Sequence, residues 1–514
     1  MASTRDTAAG IESQGPEGAL SLGILGIPKA WWLFCVFVFA VKLLLLWLDP
    51  TPKLFMGDSG AYIQTALKGW IPEDRSYFYG YLVRWLAVWP HSFTPLLMSQ
   101  ALASGVTTIV FTLICRRFFE LSLTLAFLFG FICALDPLQL VWERYVMTET
   151  FSLLVYALVL YWSLAYLRDR RLWQLAVVQG FSVLLIGFRM SYLLLVQACT
   201  ILLPVIAVAR CFFPVLRKRL EPRILQANLF AIGVTHLIVS LALMFVMHGA
   251  YKYANGRLSH REPDYLYSTG DHLAAVWAPA LEPWDATDPR FAEIVRNGDQ
   301  FNMRSLHARN AQQYAQGSLI KRWREIETDR RKNERVTRET AMNALRRRPL
   351  VIVGLAVQTY MEYWNLRLIW KYARSDLGYG TLKDEQITML AEKFGFRPAK
   401  NLRMQPLSLL QRYFLAVWPY YFVVVVSPLI CAIATWLSRD RAFGLLLFFH
   451  ASILLVVVTA LSPQAGIRYI QPISLLTLLG LAACADWVAR RAQNWRRTRL
   501  PDPLVARNAG ARPG

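Results

Sequence analysis

Residues 30–48 read AWWLFCVFVFAVKLLLLWL, an apolar run interrupted only by Lys42. At a rise of about 1.5 Å per helical residue, such a run crosses the roughly 30 Å hydrocarbon core of a bilayer. It is too long for the apolar core of a signal peptide, and no small-residue cleavage site follows it. It therefore reads as an uncleaved first span. Further along the chain, apolar blocks of similar length recur at 94–115, 119–135, 150–167, 173–188, 190–209, 227–248, 413–436, 442–461 and 469–489. The expectation is an all-α polytopic membrane protein with ten transmembrane helices. Composition agrees: of 514 residues 55% are hydrophobic and 18% charged, whereas a soluble domain carries about a quarter charged residues. Because the blocks run from end to end, one membrane domain with loop insertions is a simpler account than several soluble domains.

The basic residues orient these spans. Arg116 and Arg117, then Arg168, Arg170 and Arg171, then the stretch from Arg210 to Arg223, then Arg439 and Arg441, and finally Arg490 to Arg499 fall on one side. The short loops opposite carry only Arg144, Arg189 and Arg468. Lys and Arg accumulate on the cytoplasmic side of membrane proteins, so both termini are expected inside, in a cell inner (plasma) membrane. The first outer loop, with Lys53, Lys68, Arg75 and Arg84, breaks the bias. The same bias accounts for the net charge of +22 without a nucleic-acid partner, and leaves some charge for an anionic lipid or phosphate substrate. Residues 350–364 are also apolar, but an eleventh span there would carry Arg439, Arg441 and the basic tail outside. Parity favours an interfacial or re-entrant helix, with eleven spans as the alternative.

The chain divides accordingly. A disordered cytoplasmic tail, 1–29, precedes an N-terminal transmembrane module, 30–248, with outer loops 49–93 and 136–149. An outer insertion, 249–412, is rich in Arg, Tyr and Trp and has helix-like stretches at 288–297 and 318–347. The last spans, 413–489, lead into a basic cytoplasmic tail, 490–514. No internal repeat or pair of broken spans is visible, which removes the best sequence signal of a secondary transporter. The seven cysteines lie in or beside apolar blocks without CxxC spacing, as packing residues do. His248, His260, His272 and His307 lie in or near the insertion without HxxxH or HExxH spacing, so a divalent metal is an option and not a requirement.

Chemistry concentrates at the outer ends of the spans. In the first loop, Phe55-Met56-Gly57-Asp58-Ser59-Gly60-Ala61-Tyr62 precedes a short amphipathic stretch. Asp58 or Ser59 would cap that helix, and a carboxylate there would also meet a lipid-borne substrate at the membrane face. The second loop carries Asp136, Glu143, Arg144 and Glu149 between two spans. Asp136-Pro137 reads as a turn and Glu143–Arg144 as a surface pair, or all of them face a cavity, since ionisable groups near membrane depth seek partners. Glu149 opens the next span with Thr148 as its cap. Arg189 and Arg468 stand on the side that the bias avoids, either snorkelling to headgroups or gripping a phosphate bidentately. Lys42, inside the first span, needs a partner or a cavity.

A Gly-Asp-Ser just beyond the first span, an acidic second outer loop ending Met147-Thr148-Glu149, and the late Arg468-Tyr469-Ile470-Gln471-Pro472 together resemble the GT-C superfamily. Its members are membrane glycosyltransferases that use polyprenyl-phosphate sugars, among them protein O-mannosyltransferases and the lipid A aminoarabinose transferase type. The resemblance covers about residues 30–190 and 410–490, and each motif is short. It implies a GT-C-like helical fold and a polyprenyl-phosphate-linked sugar donor. The acceptor it implies is a glycan, lipid or protein outside the cytoplasm, with no cofactor required. The family's catalytic carboxylate, as general base, maps onto Asp58, its second-loop acidic residues onto Asp136, Glu143 and Glu149, and its phosphate-facing arginine onto Arg468. Arg189, Arg75, Tyr62 and Tyr469 would complete the substrate contacts. Tyr77, Tyr79 and Tyr81 would line a sugar pocket or belong to an interfacial belt. The first loop lacks a paired-acid motif; Glu73-Asp74 is nearest, which makes Asp74 a rival base. A polytopic transporter or lipid flippase, and a non-catalytic assembly subunit, remain as alternative readings.

Overall fold

The computed structural model describes residues 28–55, 57–218, 223–378 and 380–499. Most of both tails, Met56 in the first-loop motif and residues 219–222 of the basic loop lie outside the described residues. Among the described residues the chain is helical, with two isolated β-bridges and no strands.

Every apolar block forms a helix. Seven helices are long and apolar enough to cross a membrane: Lys29–Leu48, Thr94–Arg117, Glu149–Asp169, Met190–Arg210, Ala231–Ser259, Arg441–Ala460 and Ile467–Trp495. Two bent pairs, Leu123–Ala134 with Pro137–Arg144 and Trp418–Val425 with Ser427–Leu437, raise the number to nine if each is one span. The expected ten is not reached on this measure, because block 173–188 forms Leu172–Phe188, only 17 residues long. Block 350–364 forms Pro349–Glu362, whose 14 residues span about 21 Å and stop short of a bilayer crossing.

The bends have local causes. Asp136 caps the second half of the first pair, its carboxylate accepting from Leu138 N, and Pro137 takes the first helical position, where a missing N–H costs nothing. Pro428 plays the same part at the start of Ser427–Leu437. The first span turns an apolar face outward: Leu33, Val36, Phe37, Leu44 and Trp47 are exposed. Water would expel such a surface, whereas lipid is its natural solvent. Glu149–Asp169 is buried on most sides, packing Tyr156, Leu160 and Tyr166 into the central core.

The basic loops share one end of the bundle. Arg439 pairs with Glu120, Arg210 pairs with Asp440 and donates to the Leu167 carbonyl, and Arg168 lies over the Phe118 ring. At the other end the two outer loops are stitched together, Lys53 N donating to Arg144 O (2.7 Å) and Val146 N to Lys53 O (3.0 Å).

The insertion packs its own core of Leu281, Phe291, Met303, Trp323 and Val336. The stretch 318–347 is two helices rather than one, Leu319–Ile326 and Arg330–Arg347, because Asp329 caps a new start by accepting from Arg331 N. The unit sits on the bundle end opposite the basic loops. Trp277 Nε1 donates to Ala460 O (2.8 Å), and Glu73 of the first loop pairs with Arg261 and Arg330.

Candidate active site

The first outer loop delivers Asp58 through a strained turn. Gly57 has φ 87°, a left-handed conformation that costs glycine little. Ser59 Oγ accepts from Phe55 N (2.9 Å) and clamps the turn. Helix Asp58–Lys68 begins there without a side-chain cap, so the Asp58 carboxylate is turned away from its own helix. Its Oδ1 accepts from Arg75 (2.7 Å) and its Oδ2 from Arg468 (2.6 Å).

Burial pushes the Asp58 pKa up, but the Arg468 and Arg75 guanidiniums outweigh it and hold the carboxyl well below the usual carboxylate range. The side chain stays 23% exposed, so the pair lies at a surface that solutes reach. Arg75 is shared, for its Nε and second terminal nitrogen also grip Asp74 (3.0 and 2.6 Å).

Arg468 is held by three neighbours besides Asp58. It occupies the short 3₁₀ turn Ile467–Ile470 that opens the last span. Its backbone N–H donates to Asp376 (3.0 Å), and its guanidinium donates to the Tyr469 hydroxyl (3.0 Å). That guanidinium also lies over the rings of Phe55 (4.3 Å) and Tyr469 (4.9 Å), a cation–π arrangement. The Tyr469 ring lies beneath Arg189 as well (5.9 Å), and Arg189 stands 3.6 Å from Glu149 Oε1. Glu149 Oε2 and one terminal nitrogen of Arg189 are buried without hydrogen-bond partners. Tyr62 lies beneath Arg75 (5.6 Å) and meets Tyr79 edge to face.

Asp58, Arg75, Arg468, Tyr469, Arg189, Glu149 and Tyr62 thus form one connected cluster, drawn from four separated stretches of chain. Two of the expected site residues sit elsewhere. Glu143 is fully buried against Lys42 Nζ (2.7 Å) and also meets Arg144 (3.3 Å). Lys42 donates as well to Ala134 O (2.7 Å), so the lysine of the first span is fully engaged. Asp136 ties the second loop to the last span through Ser474 Oγ (2.6 Å). Tyr79 is a core residue whose hydroxyl donates to Gln100 (2.7 Å). Tyr77 and Tyr81 pack edge to face beside Tyr251.

Three neighbours of the cluster escape a reading of the sequence. Phe55 stands in the chain only as one apolar residue of the loop motif. Asp376 ends helix Leu366–Asp376, and nothing in its surroundings in the chain marks it; burial raises its pKa to about 6, partly opposed by Arg468. Tyr314 comes from the insertion. Its side chain is largely exposed, and it lies within the field of the Asp74 and Asp58 carboxylates. Among the described residues no three His, Cys, Asp or Glu side chains converge as metal ligands; His272 faces Gln313 and the Leu461 carbonyl, and His248 faces Tyr265.

No family model matches the chain, and no curated protein matches it. Among solved structures it is similar to ArnT from Cupriavidus metallidurans bound to undecaprenyl phosphate, with 16% identity, 90% of this chain and 78% of that one covered, and a TM-score of 0.32. It is similar also to the apo state of the same protein, with 14% identity, 88% and 78% covered, and a TM-score of 0.29.

Proposed function

We propose that this chain is a membrane glycosyltransferase that moves a sugar from a polyprenyl-phosphate donor to a glycan, lipid or protein acceptor at the extracytoplasmic face. The observation that carries the reading is the ion pair between Asp58 and Arg468, half-buried at the outer end of the helices. Sugar transfer from a phosphate ester needs a base for the acceptor hydroxyl and positive charge for the departing phosphate. Both are neighbours in this cluster.

In the resting arrangement Asp58 is a weak base, because two guanidiniums hold its negative charge. A donor phosphate is a stronger bidentate partner for Arg468 and draws it from the carboxylate. Asp58 then becomes more basic and accepts the proton of the acceptor hydroxyl. The hydroxyl oxygen bonds to the anomeric carbon as the carbon–oxygen bond to phosphate breaks. The leaving group departs as a phosphate anion, so no general acid is needed, and displacement inverts the anomeric centre. Arg189, held beside Glu149, adds positive charge on the same side. Tyr62 and Tyr469 shape the pocket. We assign Glu143 and Asp136 to the support of the second loop, since their carboxylates are occupied by Lys42 and Ser474.

In this reading the shared basic end of the bundle is cytoplasmic, and loops 49–93 and 136–149 with insertion 249–412 enclose the site outside. The transport alternative draws on charges inside spans, and the Lys42–Glu143 pair is the clearest. Its groups are saturated by protein partners, which suits a structural link better than a carrier site.

The deciding experiment is mass spectrometry of envelope glycans and lipids from cells with the wild-type gene, without it, and with Asp58→Asn. Loss of one sugar modification in both deficient strains supports the assignment. An unchanged profile together with altered solute uptake overturns it in favour of transport.

A further inference from the structure

A polar cavity adjoins the segments that carry Phe55 and Asp376. It has a volume of about 450 Å³ and is lined by Lys53, Lys371, Arg374 and Arg403 together with Leu377 and Gln411, among others, with no carboxylate in the lining. Among the described residues none of these four cations forms an ion pair or a side-chain hydrogen bond. Lys53 is the telling one. It is only 8% exposed, and burial pulls its pKa down, with the charge of Asp49 opposing. A largely desolvated lysine that lines a cavity, with only the charge of Asp49 to offset it and no hydrogen-bonded partner, favours an anion there.

The surroundings say where the anion comes from. Trp370, next to Lys371, Met404, next to Arg403, and Leu409, two residues beyond Leu407 of the lining, are all exposed. Exposed tryptophan interleaved with lysine and arginine is the pattern of a helix at the level of lipid headgroups. Neither Asp58 nor Arg468 lines the cavity; the lining residues Leu54 and Leu377 adjoin in the chain Phe55 and Asp376, which touch Arg468.

We propose that this cavity binds the phosphate headgroup of an anionic phospholipid from the outer leaflet, as a site separate from the sugar-transfer cluster. Four unpaired cations provide the charge, and the neighbouring apolar side chains meet the acyl chains. Occupancy would brace the segment 371–378 and, through Asp376, the backbone of Arg468. The inference needs only the membrane setting and not the sugar-transfer reading.

The test is native mass spectrometry of the full chain released from phosphatidylcholine nanodiscs containing either phosphatidylglycerol or polyprenyl phosphate as minor component. Wild type should retain phosphatidylglycerol. The triple variant Lys371→Gln, Arg374→Gln, Arg403→Gln, which changes only exposed side chains, should retain it about tenfold less or lower still. Lys53→Met should also weaken retention, and Asp58→Asn should leave it intact. Equal retention by wild type and the triple variant overturns the proposal. So does retention of polyprenyl phosphate alone that is lost in the triple variant, since the cavity then serves the donor. Loss of phosphatidylglycerol in Asp58→Asn overturns the separation of the two sites.

Discussion

Asp58 and Arg468 stand 410 positions apart in the chain, yet the Arg468 guanidinium donates to the Asp58 carboxylate over 2.6 Å. One residue begins a helix just beyond the first span and the other begins the last span. They meet at the bundle end opposite the basic loops, and the chemistry proposed above depends on it.

Removing either partner should stop turnover by a different route. Asp58→Asn keeps the hydrogen-bonding shape but not the basicity, and should lower sugar transfer about 10²–10⁴-fold. Arg468→Gln should lower it about 10²–10³-fold through lost charge stabilisation. The pH profile separates the two roles. A carboxylate base works when ionised, so activity is lost as pH falls through its pKa, which in the wild type lies below the ordinary carboxylate range. In Arg468→Gln, burial acts with less opposition and the residual activity should fail at higher pH. Measurement of kcat/KM against pH reports this for the free enzyme.

Asp376 predicts a pH-dependent stability of the opposite sign. Its folded pKa is raised to about 6, so the native state disfavours the charged form. The penalty is absent below the unfolded value of 3.8, grows as pH rises, and is complete above about 6. Its size is on the order of 3 kcal/mol at most. Asp376→Asn keeps an acceptor for the Arg468 N–H and should raise thermal stability at pH above 7, with no gain near pH 4. A variant that is equally destabilised at both ends of the range would refute this account.

The Lys42–Glu143 pair is fully buried, and breaking it from one side strands a charge. Lys42→Met or Glu143→Gln alone should each cost about 3–5 kcal/mol in a detergent-unfolding assay. The double variant should recover part of the loss. If Glu143 were instead a catalytic group, the double variant would regain stability with no sugar transfer at all.

Gly57 tests how the loop aims Asp58. A Cβ there meets nothing within 4 Å, so Gly57→Ala costs backbone strain alone, about 1–2 kcal/mol from the positive φ. The expected relief is a rotated turn that carries Asp58 away from Arg468. Activity should drop at least tenfold by this mispositioning, while the melting temperature of the spans barely changes.

Much of the architecture is written locally. Each apolar block folds as a helix because length and composition suffice to satisfy backbone groups in lipid. The exceptions are instructive. The run at 318–347 hides a break because Asp329 competes as a cap inside a pattern that otherwise looks continuous. The helix of block 119–135 is followed by a bent continuation that starts at Pro137, and block 413–436 bends just before Pro428, details that hydropathy averages away.

The site divides in the same manner. Asp58, Arg468, Arg189 and Glu149 stand out in the chain because charges at the outer ends of spans are costly and few. The same argument draws in Glu143 and Asp136, whose partners prove to be Lys42 and Ser474. No local signal distinguishes a carboxylate that meets a guanidinium across a cleft from one that meets a lysine inside the bundle. Asp376 carries no local mark at all, since it matters only through its hydrogen bond to the Arg468 backbone.

By itself, then, the chain of residues determines that this is a helical membrane protein with its basic loops at one end and its rare charges at the other. Hydrophobic length and charge bias act over a single turn or a single span, so they survive without knowledge of neighbours. Tertiary structure alone decides which charges face one another, because pairing depends on contacts between helices hundreds of residues apart. Asp58 stands out in the chain already, but only the tertiary structure brings the Arg468 guanidinium to it.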